Sequence, residues 1–161
     1  GELRGAIVRA ADFYGPGAAL SVTHATVTER LKAGKTPQWI GNPKAVHTFT
    51  YTRDAGRSLA LIGNTPSAFG QVWHTVTSKE PITGEQYVRI ACELARRPYA
   101  LQAAPRWMLK LMGLFVPVVR ESIEMLYQFE YDYLFDSSKI ERAFGLTATT
   151  YREGVAAALE A

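Results

Sequence analysis

The sequence predicts a mixed α/β or α+β domain, and three observations support this prediction. Short β-type runs alternate with helical apolar patterns along the 161 residues. Most of the helical patterns begin at a capping residue or stop at a glycine or proline. Hydrophobic residues make up 47% of the chain and charged residues 20%, a balance that favours a buried core over disorder.

The N-terminal region predicts a strand, a turn and a helix. Ala6–Val8 is a short β-type run, which Arg9–Phe13 can extend. Tyr14–Gly17 breaks the backbone, because its proline lacks an amide donor and its glycines allow positive φ. A helix follows, which Gly34 ends as a left-handed residue. Its apolar face is formed by Leu20, Val27 and Leu31.

The next region predicts two strands and a helix. Gln38–Gly41 and His47–Tyr51 flank the turn Asn42–Pro43 and have β-type composition. Asp54 is placed to cap the N-terminus of a helix that closes at Gly63–Asn64.

The middle of the chain carries the best-marked helix. Gln71–Val76 alternates enough to be a strand. Thr83–Gln86 is a capping box, which opens a helix with Arg96–Arg97 in its last turn and Pro98 as its stop. Tyr99–Ala103 has the composition of another strand.

The C-terminal third predicts further helices. Pro105 suits the first position of a helix that is broken or kinked at Pro117, and Glu121–Phe129 forms another helical run. Near the end of the chain, two more helices have capping signals. These signals are Asp136 or Ser138 with a terminating Gly145, and a second capping box formed by Thr150 and Glu153.

Composition excludes several function classes. A net charge of +3 is small for this length and no reader motif accompanies it, so we expect no nucleic-acid partner. The longest apolar uncharged stretch, Leu111–Val119, is far below the roughly 20 residues that span a bilayer, so we expect no membrane partner. The single cysteine, Cys92, excludes an internal disulfide and fits a reducing cytoplasm.

Most catalytic motifs are also absent from the sequence. It holds no glycine-rich dinucleotide loop, no P-loop and no Gly-x-Ser-x-Gly elbow. Its three histidines lack metal-ligand spacing, so we expect no metal. Asp12 lies between a strand and a glycine turn, where it is either a ligand-facing carboxylate or a turn cap. The aromatic residues between 127 and 135 either pack the core or line an apolar pocket.

Five segments in a fixed order carry a family resemblance. They are Val8–Gly17, His47–Arg57, Gly70–His74 with Pro81–Thr83, Asp136–Gly145 and Tyr151–Leu159. The first resembles an Arg-x-x-Asn-x-Tyr-Gly-Pro motif, the second a Phe-x-Tyr-Val-x-Asp-Val-Ala-Arg block, and the fourth a terminal Asp-x-Ser-Lys…Leu-Gly motif. Together they resemble the extended short-chain dehydrogenases/reductases, the NAD-dependent epimerase/dehydratase family.

The resemblance covers the C-terminal half of that α/β Rossmann fold. It implies that residues 1–17 are the last part of the Rossmann domain, with its sixth parallel strand in an incomplete sheet. It implies that residues 18–161 form the substrate-binding lobe, with interleaved Rossmann segments. The glycine-rich loop and the catalytic Tyr-x-x-x-Lys belong to the N-terminal half, which we expect as a missing partner upstream of Gly1. We therefore expect the chain alone to be inactive and its parent to be an NAD(P)-dependent oxidoreductase or epimerase.

The resemblance also implies site residues. Ala10 and Ala11 would approach the nicotinamide of NAD or NADP, and Asp12 would face the substrate. The walls of a small-molecule pocket would come from Tyr14, His24, Trp39, His47 and the aromatic stretch near Tyr131.

Two departures from the nucleotide-sugar members point to a different substrate. Those members commonly have Asn where Asp12 stands, and an Arg near His47 that binds the diphosphate. A carboxylate repels a diphosphate, and a neutral imidazole poorly replaces a guanidinium. We expect a smaller, less charged carbonyl or alcohol. The alternatives are a non-catalytic cofactor sensor, and an interaction lobe whose basic residues between Arg89 and Lys110 contact an acidic partner. Homo-oligomerisation stays open.

Overall fold

The computed structural model describes residues 4–104, 114, 120 and 123–161. In these residues the strands are β1 Ile7–Arg9, β2 Asp12–Tyr14, β3 Gln38–Ile40, β4 Phe49–Tyr51, β5 Val72–His74 and β6 Gln102–Ala104. The α-helices are α1 Glu29–Lys32, α2 Thr52–Gly63, α3 Gly84–Leu94, α4 Tyr127–Glu130, α5 Ser138–Phe144 and α6 Tyr151–Glu160. A wide π-type turn, His24–Thr28, leads into α1, and short 3₁₀ turns occupy Pro66–Ala68 and Ile123–Leu126.

The chain forms two compact units that interleave along the sequence. The first unit contains 1–21, 48–80 and 135–161, and the second contains 22–47 and 81–134. From the sequence we predicted a boundary between residues 17 and 18, with later segments of the chain belonging again to the Rossmann domain.

The first unit contains two parallel strand pairs. β1 pairs with β5, with Ile7 opposite Val72, and β2 pairs with β4, with Asp12 opposite Phe49. The predicted strand at Ala6–Val8 is therefore present, but its continuation toward residue 13 is a separate strand with a different partner.

The helices of the first unit cover an apolar core. Ile62 of α2, Trp73 of β5 and Ile140 of α5 belong to one buried cluster. The Trp73 ring also packs against Phe144, at 5.2 Å between ring centroids. This cluster explains the apolar spacing that predicted α2 and α5, because each helix buries one face.

A polar group at the start of α5 ties this helix to the loop after β5. Glu141 forms an ion pair with Lys79 at 2.9 Å, and it accepts a 2.7 Å hydrogen bond from Ser137 Oγ. Burial raises the pKa of Glu141, but these two hydrogen bonds outweigh burial and hold the pKa below its usual value.

The second unit contains the third parallel pair, β3 with β6. The capping box predicted at the start of α3 is confirmed, since Thr83 Oγ1 accepts from Gln86 N and the Gln86 side chain accepts from Thr83 N. Gly84 lies directly under the Trp39 ring, where a side chain would collide with it. Gly34 ends the helix of α1 with a φ of +74°, as predicted.

Several predicted boundaries differ from the structure. Asp54 was predicted as the N-cap of α2, which is wrong, because α2 begins at Thr52 and the Asp54 side chain is buried inside the first turn. The carboxylate accepts hydrogen bonds from Thr149 N at 2.7 Å and from Arg57 at 3.0 Å instead. Leu20 was assigned to the face of a helix, but it precedes the helical turn and is fully exposed.

Two differences concern helix ends in the second unit. α3 ends at Leu94, before the two arginines predicted for its last turn, and Arg96 adopts a positive φ of 54°. The helix predicted from Pro105 lies outside the described residues, apart from residue 114. The run predicted at Glu121–Phe129 is divided between a 3₁₀ turn and α4.

Within the described residues, no helix combines the length and the apolar character that a membrane crossing requires.

Candidate functional site

The segment from β1 to β2 changes its pairing partner at Ala10–Ala11. β1 pairs with β5 and β2 pairs with β4, so the two residues between β1 and β2 belong to neither ladder. In open α/β sheets, ligands bind outside the carboxyl ends of parallel strands, where the topology changes. This position, at the carboxyl end of β1 in the first unit, is therefore the candidate site.

Backbone and hydroxyl groups hold this segment on both sides. The Arg9 carbonyl accepts a 2.9 Å hydrogen bond from Thr75 N, just beyond β5. The Ala11 amide donates a 3.0 Å hydrogen bond to Thr50 Oγ1 of β4. The hydroxyls of Thr50 and Thr75 lie 3.2 Å apart, and both side chains are buried. The peptide between the strands is thus fixed although it lacks ladder hydrogen bonds.

The predicted cofactor and substrate residues of this segment differ in exposure. Ala11 is buried and Ala10 is half-buried. Asp12 opens β2 and is half-buried. Of these three, only Asp12 carries a functional side chain, which makes its carboxylate the candidate group for chemistry or recognition.

Tyr14 packs inside the first unit. Its ring lies 5.6 Å from Tyr51, 6.2 Å from Phe49 and 5.5 Å from Tyr151, and it is almost completely buried. The Tyr14 ring also fills the space above Gly154 of α6. Burial raises the pKa of Tyr151, against a smaller lowering by its hydrogen bond from the Phe49 amide. This cluster anchors α6 to the two strands that frame the candidate site.

Two neighbouring side chains, Tyr51 and Thr52, hold the turn after Tyr14. Gly15 has a φ of +108° and packs against the Tyr51 ring, which leaves no room for a Cβ. Thr52 Oγ1 donates a 2.8 Å hydrogen bond to the Pro16 carbonyl. The Gly-Pro-Gly turn is therefore held at the carboxyl end of β2.

The second unit contains the four remaining predicted site residues. His24 is half-buried in the π-type turn, with Nε2 3.5 Å from a Glu29 carboxylate oxygen. Trp39 is 3% exposed and packs on Tyr87, while Tyr131 is 70% exposed.

His47 joins the aromatic stretch near Tyr131. Its ring stacks between Phe129 and Tyr133, with centroid distances of 4.8 and 4.9 Å. Its Nδ1 lies 3.0 Å from the Gln128 carbonyl, to which the Nδ1–H tautomer donates. His47 is 2% exposed. The structure therefore brings His47 and this stretch together through ring packing.

A small cavity lies elsewhere in the second unit. Its volume is about 110 Å³, and its walls include Leu31, Gly34, Lys35, Arg97 and Pro98. None of the predicted site residues lines it. In the part of the chain that the structure describes, no group of three His, Cys, Asp or Glu side chains is arranged to hold a metal ion.

Sequence reasoning missed the hydroxyl pair of Thr50 and Thr75. The available signal was the alternation of threonine with bulky residues in two segments, His47–Thr52, which contains β4, and His74–Thr77, which begins at the end of β5. Buried threonines in strands are common, so this pattern gains meaning only when the strands are known to be neighbours.

Solved structures of nucleotide-sugar enzymes have a similar fold. UDP-glucose 4-epimerase from Thermotoga maritima, solved with UDP-glucose, is 19% identical, with a TM-score of 0.71 over 98% of this chain and 45% of that chain. dTDP-glucose 4,6-dehydratase from Bacillus anthracis, in complex with NAD, is 12% identical, with a TM-score of 0.69 over 96% of this chain and 43% of that chain. DesIV is a dTDP-glucose 4,6-dehydratase from Streptomyces venezuelae, solved as a double mutant with NAD and DAU bound. It is 18% identical, with a TM-score of 0.70 over 96% of this chain and 42% of that chain.

These similarities confirm the predicted fold. The chain has the α/β fold of part of the extended short-chain dehydrogenase/reductase structures, and it spans less than half the length of the structures it matches. No family model matches the sequence, and a search of curated proteins found no significant match.

Proposed function

We propose that the chain forms the substrate side of an NAD(P)-dependent epimerase, dehydratase or reductase that acts on a carbonyl or hydroxyl group. The observation that carries this proposal is the fold match over 96–98% of the chain to enzymes of this type, two of them solved with NAD. The position of Ala10–Ala11 at the carboxyl end of β1 is compatible with it, because ligands of α/β sheets bind outside the carboxyl ends of parallel strands.

The residues at this position fit the nicotinamide end of such a cofactor. Ala10 is half-buried and carries only a methyl group, so a flat ring can approach the backbone there, while the buried Ala11 would support this segment from behind. NAD or NADP, when bound, would accept or supply a hydride. This chain would hold the ring edge at Ala10–Ala11, while Asp12 accepts a hydrogen bond from a substrate hydroxyl. The Tyr14 cluster would support this segment from within the first unit.

The substrate is proposed to be a small alcohol or carbonyl compound rather than a nucleotide sugar. A half-buried Asp12 carboxylate repels phosphate groups. His47 is enclosed between two aromatic rings, so its imidazole is not presented as a phosphate ligand. Of the four predicted site residues in the second unit, Tyr131 is the most exposed, and Trp39 is buried. Within the second unit, Tyr131 is therefore the better candidate for contact with a small molecule, and Trp39 would act by shaping that unit.

Cofactor binding is the first test of the proposal. The complete gene product is titrated with NAD⁺ and NADP⁺ by isothermal calorimetry, and with UDP-glucose and dTDP-glucose in parallel. We expect one dinucleotide to bind and the two nucleotide sugars to bind at least about tenfold more weakly than the dinucleotide. Absence of dinucleotide binding would overturn the proposal, and tight binding of UDP-glucose would overturn its substrate class.

Turnover distinguishes an enzyme from a sensor. A panel of small secondary alcohols is offered with the preferred dinucleotide, and formation of the reduced cofactor is followed by absorbance. We expect Asp12→Asn to leave the dinucleotide Kd within about twofold while changing kcat/KM for the active alcohol. Dinucleotide binding without turnover of any alcohol, or of the corresponding ketones with reduced cofactor, would favour the non-catalytic alternative.

A further inference from the structure

The hydroxyls of Thr50 and Thr75 form a buried polar contact at the candidate site. We infer that Thr50, supported by Thr75, is a positioning residue that sets the orientation of the Ala10–Ala11 peptide for the nicotinamide ring. This inference rests on the proposed function, and it assigns the dinucleotide affinity in part to a side chain that need not touch the ligand.

First, the Ala10–Ala11 peptide depends on Thr50 for a hydrogen bond to its amide. The Ala11 amide has no ladder partner, since the β2–β4 pairing begins at Asp12. Its donor is satisfied by Thr50 Oγ1 at 3.0 Å, in a buried contact. A buried amide without an acceptor is costly, so the hydroxyl determines which way this peptide faces.

The second step is the constraint on Thr50 itself. Its side chain is 0% exposed, and its Oγ1 lies 3.2 Å from Thr75 Oγ1, which is 2% exposed. Water therefore cannot replace either partner. Because Thr75 N also donates to the Arg9 carbonyl, the same residue holds the end of β1 and orients the hydroxyl that holds Ala11.

The third step is the geometry of the strands. Thr50 belongs to β4 and Thr75 immediately follows β5, and these strands pair with different parts of the Ile7–Tyr14 segment. The hydroxyl pair joins β4 to the end of β5 at the level where the segment has left one ladder and not yet entered the other. A change at Thr50 therefore acts directly on the amide of the Ala10–Ala11 peptide.

The experiment compares three variants of the complete gene product. Thr50→Val keeps the shape of the side chain and removes the hydroxyl, whereas Thr50→Ser keeps the hydroxyl. Thr77→Val is the matched control, because Thr77 is buried in the same unit and its hydroxyl bonds Ser137 instead. The Kd for the preferred dinucleotide, NAD⁺ or NADP⁺, is measured by isothermal calorimetry, and folding is checked by circular dichroism.

We expect Thr50→Val to raise the Kd about tenfold and both Thr50→Ser and Thr77→Val to stay within about twofold of the wild type. An unchanged Kd in Thr50→Val, or an equal rise in Thr77→Val, overturns the inference. If Thr50→Val does not fold, Thr75→Val replaces it, with an expected rise of about threefold, since Ala11 keeps its acceptor but the acceptor loses its support. A Kd for Thr75→Val equal to that of Thr77→Val then overturns the inference. A wild-type protein that binds neither dinucleotide overturns the proposed function itself, which separates the two failures.

Discussion

Replacing Gly154 by alanine tests the contact between α6 and the aromatic cluster around Tyr14. A Cβ at Gly154 would lie 2.6 Å from both Cε2 and Oη of Tyr14, whereas ordinary contacts begin near 3.4 Å. The Tyr14 ring cannot retreat by this distance, because it is packed against Phe49, Tyr51 and Tyr151.

The magnitude follows from two opposing effects. Overpacking of a filled core costs about 1–3 kcal/mol, and the 2.6 Å overlap places this substitution in the upper part of that range, about 2–3 kcal/mol, while alanine gains about 1 kcal/mol over glycine inside a helix. We therefore expect Gly154→Ala to lower the free energy of unfolding by about 1–2 kcal/mol, which corresponds to a fall of roughly 2–8 °C in melting temperature for a domain of this size.

Gly56→Ala is the matched control for this prediction. Gly56 also lies inside a helix, α2, but nothing lies within 4 Å of a Cβ at this position. Here only the helix preference changes, so we expect a gain of about 0.5–1 kcal/mol. Both variants are compared with the wild type by urea unfolding and thermal melting. A Gly154→Ala protein as stable as Gly56→Ala would show that Tyr14 is not packed as described.

Three further predictions concern single interactions. Thr83→Ala removes the capping box of α3 and should cost about 1 kcal/mol, measured by urea unfolding. Asp54→Asn weakens the acceptor of the Thr149 amide and should cost about 1–3 kcal/mol, whereas a role as an exposed cap would make it nearly neutral. Glu141→Gln should destabilise at neutral pH and lose its effect under acid. The pKa of Glu141 is lower in the folded protein than in the unfolded chain, so the ionised carboxylate stabilises the fold when the pH is above the unfolded-state pKa. This stabilisation is lost as the pH falls through the folded-state pKa. Melting temperatures between about pH 7 and pH 3 test this, and a pH-independent difference would contradict the role of Lys79.

Local signals in the sequence predicted much of the fold. The capping boxes at Thr83 and Thr150 were correct because each is a short-range exchange of two hydrogen bonds. Gly34 and Gly145 ended their helices because a positive φ is a local requirement. These features depend on a few neighbouring residues, so the sequence alone is sufficient to find them.

Contacts between residues far apart in the sequence were harder to predict from the sequence alone. Asp54 has the composition of a cap, but Thr149, 95 positions later, determines its role. The run after Val8 has the composition of one strand, yet it divides because β5 and β4 pair with its two halves. The hydroxyl contact of Thr50 with Thr75 depends on the same pairing, so it became visible only in the structure.

The parallel pairing of the strands has a consequence for how the chain folds. The strand ladders pair Ile7 with Val72, Asp12 with Phe49 and Gln38 with Gln102, which are 65, 37 and 64 positions apart in the sequence. Loop closure over such distances must precede the contacts that reward it, which slows folding. At ribosomal rates of about 5–20 residues per second, β1 is synthesised roughly 3–13 s before its partner strand β5. During this interval Ile7–Arg9 lacks the hydrogen bonds that β5 supplies, so this ladder can form only after the region around Val72–His74 is available.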